Sequence, residues 1–346
     1  MSRQIDIVEL TGVDEADLRT WAEVTAGSSR HELGANATAW AAEELLVVAR
    51  HHDRQRRGRF FAARMDGEIV GTGWLCLPLL DNLTSAEIDV NVRPDLRRRG
   101  IGTQLLEHLE RLASAAGRTL FNAEAMWPYD GPPEGEGTPG CEFARRHGYR
   151  FGLGDVQRML PLPIPDQLLD EIAAETADHH TAYELRTFSG TVPDELVESW
   201  LGVAATLNLE APLGAMEREA ESLDVEAHRT AEQIEVAQGR TAWHTVALDA
   251  AGDVVAYTQL MLPEHDRSFA YQWGTLVRRD HRGHRLGTAI KVANLRAFQA
   301  ASEVRGRRLV TWNAEVNDHM IGINVRLGFV PTSRLAELQK NLDAPG

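Results

Sequence analysis

Val90-Asn91-Val92-Arg93-Pro94-Asp95-Leu96-Arg97-Arg98-Arg99-Gly100-Ile101-Gly102 is the stretch on which the reading of this chain turns. It opens as a strand and turns through an arginine-rich loop with two glycines. It then enters a helix whose apolar residues Ile101, Leu105, Leu109, Leu112 and Ala116 recur at helical spacing. The first amides of a helix have no intrahelical partner, and the helix dipole adds partial positive charge there. Strand, glycine-bearing turn and helix N-terminus together make a site suited to phosphate. Gly100 and Gly102 admit a ligand where a Cβ would stand. The spacing is neither that of a dinucleotide-binding fingerprint nor that of a P-loop.

Upstream of this loop the pattern predicts a strand over 5–10, helices over 14–26 and 37–50 with Asp14 and Asn36 as caps, and a hairpin of strands over 58–65 and 68–77 around Asp66-Gly67. Ser85 to Val92 is the fourth strand. Downstream, Thr119 to Ala123 is a fifth strand, followed by a Gly/Pro-rich loop, a short helix over 142–147 and a last strand from Gly148-Tyr149. The proline-rich run Leu160-Pro161-Leu162-Pro163-Ile164-Pro165 then marks a boundary.

Beyond it the order starts again. A strand over 183–187, helices over 193–207 and 216–238, and a hairpin around Ala251-Gly252 lead to a fourth strand, Phe269 to Val277. That strand feeds Arg278-Arg279-Asp280-His281-Arg282-Gly283-His284-Arg285-Leu286-Gly287 and a further helix. Asn122-Ala123-Glu124 recurs as Asn313-Ala314-Glu315, and Gly148-Tyr149 as Gly328-Phe329. The chain is an internal duplication, with domains at 1–163 and 164–346.

Composition limits the function. The 346 residues are 43% hydrophobic and 25% charged, as expected of packed globular domains. No apolar run is long enough to span a bilayer, and the N-terminus has no apolar signal segment. The two cysteines make neither a disulfide framework nor a zinc site, which points to a reducing cytoplasm. A net charge of −15 repels nucleic acid and attracts a cationic small molecule. No histidine or cysteine grouping has metal-ligand spacing.

Arg97, Gly100 and Gly102 form the pattern R-x-x-G-x-G after Val92-x-Pro94. This resembles the acetyl-CoA pyrophosphate loop of the GNAT superfamily of N-acetyltransferases. The resemblance extends over both copies and is similar to the tandem-domain branch common in actinobacteria, which includes mycothiol synthase. It implies an α/β (α+β) architecture of two acetyltransferase-fold domains, each a mixed, mostly antiparallel twisted sheet flanked by helices. It implies an acyl-CoA-dependent N-acetyltransferase of the acyltransferase class, moving an acetyl group directly from acetyl-CoA to an amine. A small polar, cationic acceptor fits the charge, in a monomer or homodimer. Two rival readings stay open: a non-catalytic acyl-CoA binder, and a peptide or protein N-acetyltransferase.

By the same resemblance, the first cofactor site comprises Val90, Asn91, Val92, Arg97, Arg98, Arg99, Gly100, Ile101, Gly102 and Thr103. A strand-four amide at Val92 or Asn91 would polarise the thioester carbonyl. In the second copy the counterparts are Leu276, Val277, Arg282, Gly283, His284, Arg285, Gly287 and Thr288, with Asn317 near the pantetheine arm. Arg285 replaces the middle glycine and can donate its amide if its φ stays negative. The first loop is therefore expected to bind without strain, and better. The position from which many family members protonate the departing thiolate is Ala144 in one copy and Asn324 in the other, and neither is an acid.

Amine acetylation needs a base. Glu87, Asp89 and Asn91 alternate on one face of the fourth strand. Glu87 is the first candidate and Glu124, at the end of strand five, the second. The second copy has no carboxylate on strand four, so Glu315 is its candidate.

Overall fold

The structure, a computed structural model, describes residues 4–343. Two units make it up. The first holds the chain up to Val156, Leu213–Glu217 and the chain from Thr332 on; the second holds Gln157–Pro212 and Arg218–Pro331. A boundary at 163/164 follows the duplication in sequence, whereas the units trade segments, and the last strand of the chain belongs with the first unit.

The first unit contains β1 (Asp6–Leu10), α1 (Glu15–Leu33), α2 (Ala42–Arg50), β2 (Arg56–Met65), β3 (Glu68–Pro78), β4 (Ser85–Val92), α3 (Ile101–Ala115), β5 (Leu120–Pro128), α4 (Pro139–Arg146), the start of β6 (Arg150–Pro161), and most of β12 (Val330–Asn341). Its strands run in the order β1-β2-β3-β4-β5-β12. The second unit contains α5 (Asp166–Ala177), β7 (Glu184–Ser189), α6 (Val197–Ala204), α7 (Leu207–Glu210), α8 (Val225–Ala237), β8 (Arg240–Leu248), β9 (Val254–Pro263), β10 (Phe269–Val277), α9 (Leu286–Ala301), β11 (Arg308–Ala314) and α10 (Asp318–Leu327). Its strand order is β6-β11-β10-β9-β8-β7. β4 with β5 and β10 with β11 are parallel, while the hairpin strands and the β5–β12 pair are antiparallel. The mixed, mostly antiparallel fold expected from the sequence is present in both units.

Local chemistry explains the elements. Asp66 and Gly67 both take positive φ, which the two-residue turn of the β2–β3 hairpin requires. On one face of the first sheet, Ile101, Leu105 and Leu109 of α3 pack with Leu75, Ile88 and Phe121. On the other, Leu18 and Trp21 of α1 and Leu45 and Leu46 of α2 pack with Phe60 and Ala62. Each fully covered leucine contributes about 2 kcal/mol of burial.

The sequence pattern and the structure differ at several places. Asp14 does not cap α1; its carboxylate accepts from the amide and hydroxyl of Thr11 instead. α2 starts only at Ala42, after a 3-10 turn at Gly34–Asn36. β5 continues to Pro128 because β12 pairs with it along its whole length. Helix α5 follows Pro165 where only a boundary was expected, and buries Leu169 and Ile172. The helix expected from Met216 begins at Val225, because Leu213–Glu217 is drawn into the first unit. Among the described residues, no helix is long and apolar enough to cross a membrane, and both cysteines are free and buried.

Candidate active site

In the first unit, β4 and β5 pair only from Ser85–Leu120 to Glu87–Asn122 and then part. The fork between them is where a ligand can enter the sheet. Arg93 donates its amide to Val70 O on β3 at 3.0 Å. By strand alternation the Asn91 amide also faces β3, and Val90 and Val92 turn theirs toward the fork. Of the two amides considered from the sequence, Val92 is the one so placed, and Val90 joins it.

The loop after β4 makes a 3-10 turn at Pro94–Leu96 and enters α3 at Ile101. Among the described residues, the amides of Arg97 to Thr103 donate to no backbone carbonyl. That row of free donors, with Gly102 and Thr103 in the first helical turn, fits a diphosphate. The motif arginine is turned inward. Arg97 Nε donates to Val92 O at 3.4 Å, Nη2 donates to Ser28 Oγ at 3.0 Å, and Nη1 pairs with Glu32. The arginine side chains left exposed on the loop are those of Arg98 and Arg99.

The second loop repeats the plan. Arg282 Nε donates to Val277 O at 3.2 Å and Nη2 pairs with Glu210 at 2.8 Å. Both loops need two left-handed residues. In the first these are Arg98 (φ 64°) and Gly100 (φ 82°); in the second, Gly283 (φ 90°) and Arg285 (φ 51°). Each copy thus spends one glycine and one arginine there, in opposite order. The condition of a negative φ at Arg285 is not met, and the first loop is not free of strain either, since a left-handed arginine costs about 1 kcal/mol in either copy. The loops differ in what stands over them. Arg285 reaches Glu175 O at the end of α5 at 3.4 Å, Glu175 pairs with Arg326, and Tyr183 bonds His281 at 3.0 Å with its ring 5.4 Å from His284. Gly287 and Thr288 open α9 as Gly102 and Thr103 open α3. Asn317 caps α10, its Oδ1 accepting from Met320 N at 3.2 Å.

The floors of the two forks differ in kind. β10 and β11 pair from Phe269–Arg308 to Tyr271–Val310 and then part, and β10 carries a bulge between Gln272 and Thr275, ahead of Leu276 and Val277. The register makes Tyr271 the counterpart of Glu87, and Trp312 that of Glu124. The rings of Tyr271 and Trp312 lie parallel, 8° apart in plane with centroids at 6.2 Å. The repeated Asn-Ala-Glu is therefore out of register: in the first copy it lies inside β5, in the second it ends β11. Glu315 stands in the turn three residues beyond Trp312 and is not brought to the fork floor.

In the first unit, Glu87 and Asp89 of β4, Glu124 of β5 and Glu337 of β12 share one sheet face, with Glu124 opposite Glu337. Burial pushes the Glu124 carboxyl up to about 7, and Glu337, Glu87, Asp89 and Asp155 push the same way. Burial likewise raises Asp89 to about 6, against a hydrogen bond from Asn91 Nδ2 at 2.8 Å. Asp89 and Glu124 both remain exposed at the surface of that face, and the crowding of protein atoms around the carboxyl groups is what raises them. Asp89 is on the alternating face visible in the sequence. Glu337 has no such signal, because it arrives on an exchanged strand.

Residues 21–125 match the acetyltransferase (GNAT) family. No curated protein matches the chain. Among solved structures, a tandem GNAT protein from the clavulanic acid biosynthesis pathway is 27% identical over 99% of this chain and 100% of its own, with a TM-score of 0.80. A GCN5-related N-acetyltransferase from Sphaerobacter thermophilus shares the fold at 18% identity, over 99% of this chain and 96% of its own, with a TM-score of 0.64.

Proposed function

We propose that this chain, a tandem-domain acetyltransferase of the GNAT family, moves the acetyl group of acetyl-CoA to an amine of a small polar, cationic molecule, and that its first unit does the chemistry. The observation that carries the choice of unit is the fork floor, with Glu87 and Glu124 in one copy and Tyr271 and Trp312 at the same places in the other.

Acetyl-CoA, when bound, supplies an acyl thioester that an amine can attack. The free amides of Arg97 to Thr103, with the side chains of Arg98 and Arg99, hold its diphosphate. Arg97 shapes the loop from behind by tying it to α1. Val90 and Val92 direct backbone N–H groups into the fork, where they stabilise charge developing on a carbonyl oxygen. Glu124, pushed up to about 7 by its surroundings and the neighbouring carboxylates, is matched to taking a proton from an ammonium. Glu87 and Asp89 on the same face hold the cation beside it. Glu124 thus takes precedence over Glu87 as the base, because its shift places it where a base is useful. The second unit, with aromatic rings on its floor and α5 over its loop, is a diverged copy.

The test is thiol release from acetyl-CoA across a panel of small amines, together with calorimetry of acetyl-CoA binding. Glu124→Gln should lower turnover by about 10²–10³ and leave acetyl-CoA affinity in place. Turnover that survives Glu124→Gln, or affinity lost only by changes in Gly283–Thr288, would move the reaction to the second unit.

A further inference from the structure

The chain enters the first unit for five residues, Leu213–Glu217, between two stretches that belong to the second. Its backbone is held at two places, and the Glu217 carboxylate also accepts from Asn341 Nδ2 of β12 at 3.1 Å. The first is a backbone contact with β6. Ala215 N donates to Gly152 O at 2.8 Å, and Met216 is buried beside it. A Cβ on Gly152 would stand 2.2 Å from Met216 Sδ and 2.9 Å from its Cγ, so a side chain at residue 152 displaces Met216 from its seat. The second anchor is the side chain of Gln339 on β12. Its Oε1 accepts from Glu217 N at 3.1 Å, and its Nε2 donates to Glu217 O at 3.2 Å. One carboxamide thus grips both backbone groups of one residue.

The same Nε2 donates to Asn122 Oδ1 at 2.9 Å. Asn122 pairs directly with Glu87 across the last β4–β5 register position. Two residues on, and therefore on the same sheet face, is Glu124, one strand step of about 7 Å away. Gln339 stands in the same relation to Glu337, two residues before it. The grip on the segment is thus built into the row of side chains next to the carboxylates. Gln339 is only 9% exposed, so its carboxamide is fixed by these three bonds.

We infer that Leu213–Glu217 is the acceptor-side wall of the acidic fork, and that Gln339 and Gly152 are positioning residues that set its place. The inference rests on the proposed function, in which that fork is where the amine is acetylated. The segment takes no part in the chemistry. It narrows the volume an amine and water can occupy beside Glu124, and so decides which acceptors fit and how well water is kept out.

The experiment uses the full chain with Gly152→Ala and Gln339→Leu, which loosen the wall from two independent sides, and Gln339→Glu as the conservative variant that keeps the acceptor for Glu217 N. Folding is checked by thermal melting, and displacement of the wall by hydrogen exchange of the peptide spanning 213–217. n-Butylamine and 1,4-diaminobutane serve as amine probes, and acetyl-CoA hydrolysis without amine is read alongside. Both wall variants should raise the amine KM about tenfold or raise amine-free hydrolysis about fivefold, with kcat for the amine and the acetyl-CoA Kd within about threefold of the parent. Gln339→Glu should fall between them and the parent. Unchanged amine KM together with unchanged hydrolysis, in variants whose 213–217 peptide has lost protection, overturns the inference. Failure of the proposed function looks different: the parent protein itself would neither bind acetyl-CoA through its first loop nor lose turnover with Glu124→Gln. The hydrolysis reading tests the wall even where neither amine is taken.

Discussion

Replacing Lys291 by leucine should stabilise the second unit at neutral pH, and the gain should fade as pH rises. Lys291 lies in the second turn of α9, at the place that Leu106 occupies in α3. It is 1% exposed, and its Nζ donates to Asn324 Oδ1 at 2.7 Å, while Asn324 Nδ2 donates to Asn313 Oδ1 at 2.6 Å. In the first unit the corresponding residues are Leu106, Ala144 and Ala125, all in the apolar core. Burial alone brings the Lys291 ammonium down from 10.5 to about 7. Between those values the unfolded chain holds a proton that the folded one lacks, so stability rises with pH across that window. Below about pH 7 the cost of burying the charge is fully present, up to ~5 kcal/mol. Lys291→Leu removes that cost but strips Asn324 Oδ1 of its donor, which costs about 1–3 kcal/mol. The net gain at pH 7 is then about 1–4 kcal/mol. It should shrink by about 2–3 kcal/mol between pH 7 and pH 9. Adding Asn324→Ala, as in the first unit, should recover part of the loss. Urea unfolding followed by tryptophan fluorescence at pH 6, 7, 8 and 9 measures this, with Trp243 and Trp312 reporting on the second unit. A variant less stable than the parent at pH 7, with a difference that stays flat to pH 9, would refute the argument and show the ammonium to be well compensated in place.

Further outcomes follow from the site. The kcat/KM of the parent should fall below about pH 7 as Glu124 takes up a proton, and that acidic limb should vanish from the residual activity of Glu124→Gln in a pH profile. Arg98→Ala or Arg99→Ala should weaken acetyl-CoA binding about tenfold by calorimetry without lowering Tm. Arg97→Ala should lower both Tm and affinity, because its ties to Glu32 and Ser28 hold the loop to α1. Arg285→Gly should raise stability by about 1 kcal/mol in urea unfolding, by relieving a left-handed arginine; a loss instead would mean that its contact with Glu175 outweighs the strain.

What the sequence discloses and what it hides divide along physical lines. The strand, loop and helix from Val90 to Thr103 are legible because local interactions decide them: alternation in β4, free amides at the start of α3, apolar spacing along it. The same holds for Asp66-Gly67, where positive φ at both residues is a property of the turn itself. The role of Arg97 is not legible, because an arginine beside a phosphate loop reads as a phosphate ligand until Ser28 and Glu32, some seventy residues earlier in the chain, are found beneath it. Nor is the correspondence between copies readable from identity alone. Asn-Ala-Glu matches letter for letter, yet pairing with β4 and β10 sets the register, and it aligns Glu124 with Trp312. The exchange of segments is the least visible feature. β5 reads as ending at Ala123 because the partner that carries it to Pro128 lies two hundred residues downstream, and Leu213–Glu217 reads as the start of a helix because nothing nearby in sequence reveals Gly152 and Gln339. In a duplicated chain, each copy's local signals predict the copy, but the site is completed by strands and loops that a pattern within one copy cannot contain. The carboxylate face of the first unit shows this most directly: Glu87, Asp89 and Glu124 come from one copy, and Glu337 and the clamp at Gln339 come from the end of the other.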